Sequence, residues 1–303
     1  MIHIFIINPF AGHKNFADNL RAKLSTFEDL NYFVFNTRYA GYETELVRKI
    51  LHIFEGEKLR FYCCGGSGTM RNMLNGFDDL SRVEIAFFPC GLTNDFLKNF
   101  GKAEERFHYI EELIEGDVVK VDYIKSNLGN SLNTFSTGLD SVTVRKMNDY
   151  RIFRFMNTNM PYFMAVVYAV FIAKNHEYDI TVDDKEYKGK ITEVFFGNGC
   201  YFGGNMQFEP VTCVTDGAGN YTLTKNVKGF TSLPTLMSLT SKDFEKQAKL
   251  TTKGDWKKIS IRRTDGKPVV INQDGDLVGS REVCEAEIVH KGLNFVVPKG
   301  VKI

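Results

Sequence analysis

Residues 62–76, YCCGGSGTMRNMLNG, carry the residue types that bind phosphate groups most readily. An apolar strand pattern runs into Gly65, Gly66 and Gly68, where the absence of a Cβ atom lets the backbone approach an anion closely. Thr69 can cap the helix that is predicted to begin there, so free N–H groups and the positive end of the helix dipole converge on one spot. The segment therefore predicts a phosphate site, although ordinary strand-to-helix turns also use glycine.

Two further predicted loops follow strands and contain glycine beside small polar residues. Asn-Pro-Phe-Ala-Gly at 8–12 follows the apolar run 2–7, and Pro-Cys-Gly-Leu-Thr-Asn-Asp-Phe at 89–96 follows the run 83–88. Loops at the carboxyl ends of parallel strands meet at one sheet edge, which is where open α/β sheets bind their ligands. We therefore expect the three loops to form one site.

These segments resemble the diacylglycerol kinase catalytic-domain family, which includes bacterial lipid kinases and sphingosine kinases. The family pattern reads roughly NPxSG, then GGDGT, then PxGTxNDxAR. The resemblance continues through the second half of the chain, because later family motifs recur in order and with similar spacing. These are N-x-x-S-x-G at 133–138, the GN…GGG…P…DG run at 197–217, and Asp274-Gly275-Asp276 in place of DGE.

The resemblance implies an ATP- and Mg²⁺-dependent lipid kinase that transfers the γ-phosphoryl group to a hydroxyl of diacylglycerol or a related lipid. ATP would lie in the interdomain cleft, on the loop edge of the first domain. By the same resemblance, Thr37 contacts the nucleotide, although it is also consistent with a plain strand-end threonine. The predicted nucleotide-binding residues are Asn8, Pro9, Gly12, Thr37, Gly65, Gly66, Ser67, Gly68, Thr69, Asn72, Asn94 and Asp95. Of these, Asn94 and Asp95 fit equally well the capped start of a helix.

Asp276 is the candidate general base, because it stands where the family has glutamate and a carboxylate there could accept the lipid hydroxyl proton. Asp274 would orient that base or bind Mg²⁺, and Ser67 completes the set of candidate catalytic residues. Asp-Gly is also a strong hairpin signal without any catalytic role. A structural Mg²⁺ site is implied at Thr215, Asp216 and Asn220, where a simple turn is the alternative.

The sequence departs from the family at four positions. Ser67 stands in place of the aspartate of GGDGT, and Asn72 stands in place of a glutamate in the following helix. Leu92 stands in place of the threonine of PxGTxND, and Lys98 stands in place of the usual arginine. Serine cannot supply a negative charge to a divalent ion, and metal assistance contributes several kcal/mol to transition-state stabilisation. Two functions therefore stay open: a kinase that uses its remaining acids, or a catalytically weak or inactive paralogue that binds lipid or nucleotide.

The alternation of strand and helix patterns predicts a parallel, Rossmann-like α/β domain with strands near 2–7, 31–36, 58–64 and 83–88. From Val118 short β-branched segments separated by turn signals predict an antiparallel β-sandwich. Helical patterns interrupt it near 142–174 and near 242–249. We place the α/β ATP-binding domain at 1–120, joined by about 292–303, and the lipid-binding domain at 121–291.

The composition of the chain limits which binding partners and which cellular compartment are expected. With 38 basic and 37 acidic residues, the chain has no strong field to attract nucleic acid. Its six cysteines form no C-x-x-C pair, which favours free thiols in a reducing compartment. The apolar run 160–173 is shorter than the roughly 20 residues that span a bilayer. We therefore expect a cytoplasmic protein, peripheral where it meets its lipid substrate at the membrane surface, and leave a homodimer open.

Overall fold

The computed structural model describes residues 1–12, 15–90, 94–150, 164–165, 168–169, 171–172, 175–202, 206–207, 213–225 and 251–301. The chain divides into two compact units, Met1–Tyr123 with His290–Ile303, and Ile124–Val289. Leu92, the helix predicted near 242–249 and more than half of the apolar run 160–173 lie outside the described residues.

The strands alternate with helices only in the first part of the chain. The strands are β1 (Ile2–Ile7), β2 (Tyr32–Asn36), β3 (Leu59–Gly65), β4 (Glu84–Pro89), β5 (Asp117–Ser126), β6 (Gly129–Ser131), β7 (Thr134–Gly138), β8 (His176–Val182), β9 (Lys185–Gly197), β10 (Tyr201–Phe202), β11 (Met206–Gln207), β12 (Gly219–Lys225), β13 (Thr251–Trp256), β14 (Lys258–Arg263), β15 (Val269–Gln273), β16 (Asp276–Arg281) and β17 (Val283–Val297). The α-helices are α1 (Phe16–Leu24), α2 (Tyr42–Ile53), α3 (Ser67–Leu74), α4 (Ile110–Ile114) and α5 (Leu139–Tyr150), and 3₁₀ helices cover Leu80–Arg82 and Asp95–His108.

The first unit is built on a parallel sheet in the order β17–β4–β3–β1–β2. Every residue of β1 and of β3 is buried, as expected for strands that helices cover on both faces. The aromatic rings of Phe5 and Tyr62 stack with centroids 4.2 Å apart. The predicted parallel α/β domain is thereby confirmed.

The second unit is antiparallel, as the sequence predicts. β9 is its central strand and pairs with β7, β8 and β12, while β15 pairs with β7 and with β16. Alternate residues of these strands point into one apolar core around the fully buried Trp256, Phe135 and Phe196. α5 follows β7 directly and accounts for the start of the helical pattern predicted from residue 142.

Two predictions about the chain's environment can be compared with the structure. No helix in the described part of the chain is long and apolar enough to cross a membrane. All six cysteines are free, as the absence of paired spacings predicts.

Candidate functional site

Three predicted loops of the first unit begin level with one another at the carboxyl edge of its sheet. The parallel register places Ile7 beside Cys64 and Gly65 beside Pro89. Hydrogen bonds continue the sheet one residue past the strand ends. The N–H groups of Asn8, Cys90 and Thr37 donate to the carbonyls of Cys64, Gly65 and Ile7 at 2.9, 2.8 and 2.9 Å. The structure therefore brings the loops after β1, β2, β3 and β4 to one edge.

Asn8 links the first loop to the glycine turn. Its Nδ2 donates to Thr69 Oγ1 at 2.9 Å, and its Oδ1 accepts the N–H of Phe10 at 3.0 Å. Both ends of the amide are thereby used in holding the loop and the start of α3 together. Asn8 thus fixes the first loop against α3, and its partner Thr69 is buried.

The glycine turn differs in one detail from the expectation. α3 begins at Ser67, two residues earlier than predicted, and its N-cap is Gly66 with φ −101° and ψ −175°. Thr69 is therefore inside the helix and does not cap it. Gly66 has no side chain that could accept from the first-turn N–H groups, and α3 begins at the same sheet edge where Asn8 and Cys90 lie.

Two glycines of this edge are fixed by close contacts. A Cβ atom on Gly65 would lie 2.6 Å from the Thr69 Cβ, and one on Gly12, which has φ +79°, would lie 3.1 Å from the Cys90 Cβ. The loops therefore pack against each other so closely that only glycine fits at both positions.

We expect Gly65→Ala to weaken ATP binding at least about tenfold, which corresponds to about 1.4 kcal/mol. The new Cβ would displace Thr69 and break its hydrogen bond with Asn8. Displacement of a fluorescent ATP analogue measures the affinity. Gly101→Ala is the control for the contact, because its added Cβ meets no atom within 4 Å; unlike Gly65, Gly101 has a positive φ of +58°, so this control tests backbone strain without a clash. Equal affinity of Gly65→Ala and wild type would contradict the assignment of this turn to phosphate.

Residues 91–93 of the third loop lie outside the described residues, and Asn94 follows them. Asn94 is buried and is the N-cap of the following 3₁₀ helix, but its side chain makes no capping hydrogen bond. Asp95 pairs with Lys98 at 2.8 Å, and both side chains are mostly buried. Lys98, where the family has arginine, thus neutralises Asp95 within the loop.

Asn72 faces a partner that the sequence did not reveal. Its Nδ2 donates to Oε2 of the buried Glu43 at 3.3 Å, and its carbonyl accepts the Thr44 hydroxyl at 2.6 Å. Burial raises the pKa of Glu43, although the Asn72 hydrogen bond acts in the opposite direction. Asn72 therefore joins α2 to α3. The hydrophobic pattern of α2 gives no sign of this acid, because Glu43 lies among charged residues in its first turn.

In the second unit, Asp274 stands at the tip of the β15–β16 hairpin. It has φ +50° and is followed by Gly275 with φ +86°, as the Asp-Gly signal predicts. Its carboxylate accepts the backbone N–H groups of Leu132, Asn133 and Thr134 at 2.7, 2.9 and 2.8 Å. These contacts favour a positioning role, because Asp274 fixes the segment that leads into β7.

Replacing Asp274 with asparagine should lower the free energy of unfolding by about 2–4 kcal/mol, because an amide N–H₂ group would face backbone donors that then lose their acceptor. Chemical denaturation measures the change. Asp184→Asn, in the exposed turn between β8 and β9, is the control and should stay within about 0.5 kcal/mol of wild type. A loss no larger than that of the control would show that the three contacts contribute little.

Asp276 is the first residue of β16 and lies opposite Gln273 in the hairpin. It is half-buried. Gln273 is fully buried and donates through Nε2 to Ser126 Oγ at 2.8 Å. The hairpin that carries Asp276 is therefore anchored on one side by Asp274 and on the other by Gln273.

The predicted Mg²⁺ loop forms a compact turn. Asp216 accepts the N–H of Cys213 through Oδ2 at 2.9 Å and the N–H of Ala218 through Oδ1 at 3.0 Å. Thr215 Oγ1 lies 3.1 Å from Cys213 Sγ, and Asn220 is buried in β12. Among the described residues, no cluster of three or more His, Cys, Asp or Glu side chains could hold a metal. Each Asp216 oxygen holds one backbone N–H group, as in a simple turn, and the Mg²⁺ site at Thr215, Asp216 and Asn220 stays a prediction.

A parallel α/β unit with converging glycine loops, followed by an antiparallel β unit, defines the class of two-unit lipid-kinase-like proteins. Residues 3–126 match the diacylglycerol kinase catalytic domain family, and residues 133–297 match the YegS C-terminal NAD kinase beta sandwich-like domain family. The chain belongs to the diacylglycerol kinase catalytic-domain family with the YegS-type C-terminal domain, as its motifs predict.

Curated relatives agree with this assignment, and solved structures share the fold. The chain is 27% identical over 229 residues to "Putative lipid kinase YtlR" of Bacillus subtilis, covering 68% of this chain and 72% of the relative. It is 29% identical over 146 residues to "Putative lipid kinase SAS0691" of Staphylococcus aureus, covering 48% of this chain and 47% of the relative. A crystal structure titled as a putative diacylglycerol kinase from Bacillus anthracis shares the fold with a TM-score of 0.74 at 21% identity, covering 99% of this chain and 98% of that one.

Proposed function

We propose that this protein is an ATP- and Mg²⁺-dependent lipid kinase that phosphorylates a hydroxyl of diacylglycerol or a related lipid. Family membership supports the reaction class. The observation that carries the proposal is the convergence of four strand-end loops, tied by the Asn8–Thr69 hydrogen bond, at the N-terminus of α3. Such an arrangement of backbone donors is suited to a polyphosphate.

Each residue then has a defined task. The backbone N–H groups at the start of α3 hold phosphate oxygens, and Asn8 keeps the first loop in register with them. Mg²⁺ arrives with ATP and offsets the charge of the phosphates during transfer. Asp276 accepts the proton of the lipid hydroxyl as the new phosphate ester forms. Asp274 positions the hairpin that presents Asp276.

The lipid substrate places the reaction at a membrane surface, so we propose that the protein associates with membranes peripherally. Phosphoryl transfer from [γ-³²P]ATP tests the function directly. Purified protein is incubated with Mg²⁺ and mixed micelles that contain diacylglycerol, monoacylglycerol or a sphingoid base, and the lipids are extracted. We expect label in at least one extracted lipid, and label reduced at least about 100-fold with Asp276→Asn. Absence of label from every lipid with both Mg²⁺ and Mn²⁺ would refute kinase activity.

A second candidate function is non-catalytic binding of lipid or nucleotide, and two residues favour it. Ser67 supplies no carboxylate to the glycine turn. Asn72 supplies none where the family has glutamate, and its side chain donates a hydrogen bond to Glu43. A binding protein would retain ATP affinity and lack transfer. Nucleotide affinity measured beside the transfer assay separates the two functions.

A further inference from the structure

One face of the sheet in the second unit carries three oxygen-bearing side chains near the start of α5, and α5 itself adds a fourth. Ser136 of β7 lies directly opposite Asn272 of β15, and Gly138 of β7 lies opposite Glu193 of β9. Residues two apart on a strand share a face, so Ser136, Asn272 and Glu193 point to the same side of the sheet. Asp140, in the first turn of α5, joins them.

Direct hydrogen bonds hold this cluster together. Asp140 Oδ2 accepts from Ser136 Oγ at 2.6 Å and from Asn272 Nδ2 at 2.5 Å. Glu193 Oε2 accepts the backbone N–H of Asp140 at 2.8 Å. Glu193 is thus bound to the backbone of Asp140 itself, which brings the two negative charges close together.

Among the described residues, no positive side chain offsets the charge of this pair of acids. Neither Asp140 nor Glu193 forms an ion pair within the part of the chain that the structure describes. Burial raises the pKa of Asp140. Burial raises the pKa of Glu193 well above its usual value, and the neighbouring charge of Asp140 adds to this effect. Two carboxylates this close together need either a shared proton or a cation to offset their charge.

Two oxygens of the cluster also lack hydrogen-bond partners. Glu193 Oε1 and Asn272 Oδ1 are both inaccessible to solvent and accept no hydrogen bond. Asn272 is only 3% exposed, and its amide group lies against Asp140 and Ser136. A buried acceptor without a partner costs free energy, so most such atoms in folded proteins bind something.

We propose that Ser136, Asp140, Glu193 and Asn272 form a binding site for a hard divalent cation of the Mg²⁺ or Ca²⁺ class. All four side chains offer oxygen, and carboxylate, amide carbonyl and hydroxyl are the ligands such ions prefer. The cation neutralises both acids and gives the two unpartnered oxygens a ligand role. Asp140 and Glu193 keep part of their surface exposed, which leaves a path for the ion.

The proposed site uses none of the residues assigned to nucleotide binding and none of the loop at 213–220. It would join β7, β9, β15 and α5, and therefore fix the strand that leads into the Asp274 hairpin. Because an ion that binds only the folded state stabilises it, loading should raise the melting temperature by several degrees.

Calorimetric titration of the chelator-stripped protein with CaCl₂ or MgCl₂, without nucleotide, tests the site. We expect saturable binding of one ion, with affinity at least about tenfold lower in Glu193→Gln and Asp140→Asn. Glu186→Gln is the matched control, because Glu186 lies on the same strand with its side chain 68% exposed, and it should bind like wild type.

The outcomes separate the alternatives. No saturable binding by the wild type, or unchanged binding in both acid variants, overturns the proposal. Binding lost in Asp216→Asn and kept in Glu193→Gln places the ion in the 213–220 loop and also overturns it. If the wild type binds no ion and Glu193→Gln has a higher melting temperature than the wild type, Asp140 and Glu193 share a proton and the cation proposal is overturned. If either acid variant fails to fold, Ser136→Ala is titrated instead. We expect it to bind the cation more weakly than the wild type does, and an affinity equal to that of the wild type would contradict the site.

Discussion

Replacing Asp276 with asparagine should reduce kcat for lipid phosphorylation by about 10²–10⁴-fold, the contribution typical of a positioned general base. Asparagine keeps the shape of the side chain and cannot accept the hydroxyl proton. The KM for ATP should change little, because Asp276 lies on the β15–β16 hairpin and the proposed phosphate donors lie at the start of α3. Initial rates at saturating ATP and lipid measure the effect.

Asp276→Glu is the matched variant, because it restores the residue of the family motif and extends the carboxylate by one methylene. We expect it to retain or exceed wild-type kcat. Both variants should unfold at the wild-type denaturant concentration, since the contacts of Asp274 anchor the hairpin independently. A kcat for Asp276→Asn within a factor of two or three of wild type would remove Asp276 from the chemistry.

Restoring the family aspartate with Ser67→Asp should raise kcat by about 10²–10³-fold, because a carboxylate in the glycine turn can bind the nucleotide's Mg²⁺ and metal assistance is worth several kcal/mol. Ser67 is the first residue of α3, so the new charge also lies favourably at the positive end of the helix. The same lipid phosphorylation assay measures the change, with Mg²⁺ varied to show tighter metal dependence.

Ser67→Asn is the control for shape, because it has the size of aspartate without its charge. It should leave kcat near the wild-type value. If Ser67→Asp and Ser67→Asn behave alike, the missing carboxylate is not what limits this protein. If turnover appears only in Ser67→Asp, the natural protein is a binding protein on the kinase scaffold.

The parallel unit could be predicted closely because its signals are local. Strand β1 begins and ends at the predicted residues, and β3 and β4 lie within one residue of theirs, since short apolar runs bounded by glycine loops mark each one. The start of α3 was misplaced by two residues. Thr69 has the chemistry of a cap, but its hydroxyl accepts from Asn8, 61 residues earlier in the chain.

The contacts that sequence reasoning missed connect distant segments. Asp274 reads as a turn residue, yet its carboxylate binds N–H groups 140 residues away. Asp140 and Glu193 come together only because β7 and β9 pair in one register, and neither shows a motif of its own. The signal for Asp140 was its place two residues after the N-x-x-S-x-G segment. Contacts between side chains far apart in the sequence depend on which strands pair and in which register. The pattern of residues within one segment does not determine that pairing.

Calorimetric titration of the wild-type protein with ATP and Mg²⁺ tests the central assignment of the sheet edge to nucleotide most directly. The convergent loops predict saturable binding of one ATP, with ADP binding more weakly because it offers one phosphate fewer to the donors of α3. No heat of binding from ATP, with Mg²⁺, Mn²⁺ or Ca²⁺ present, would contradict the account.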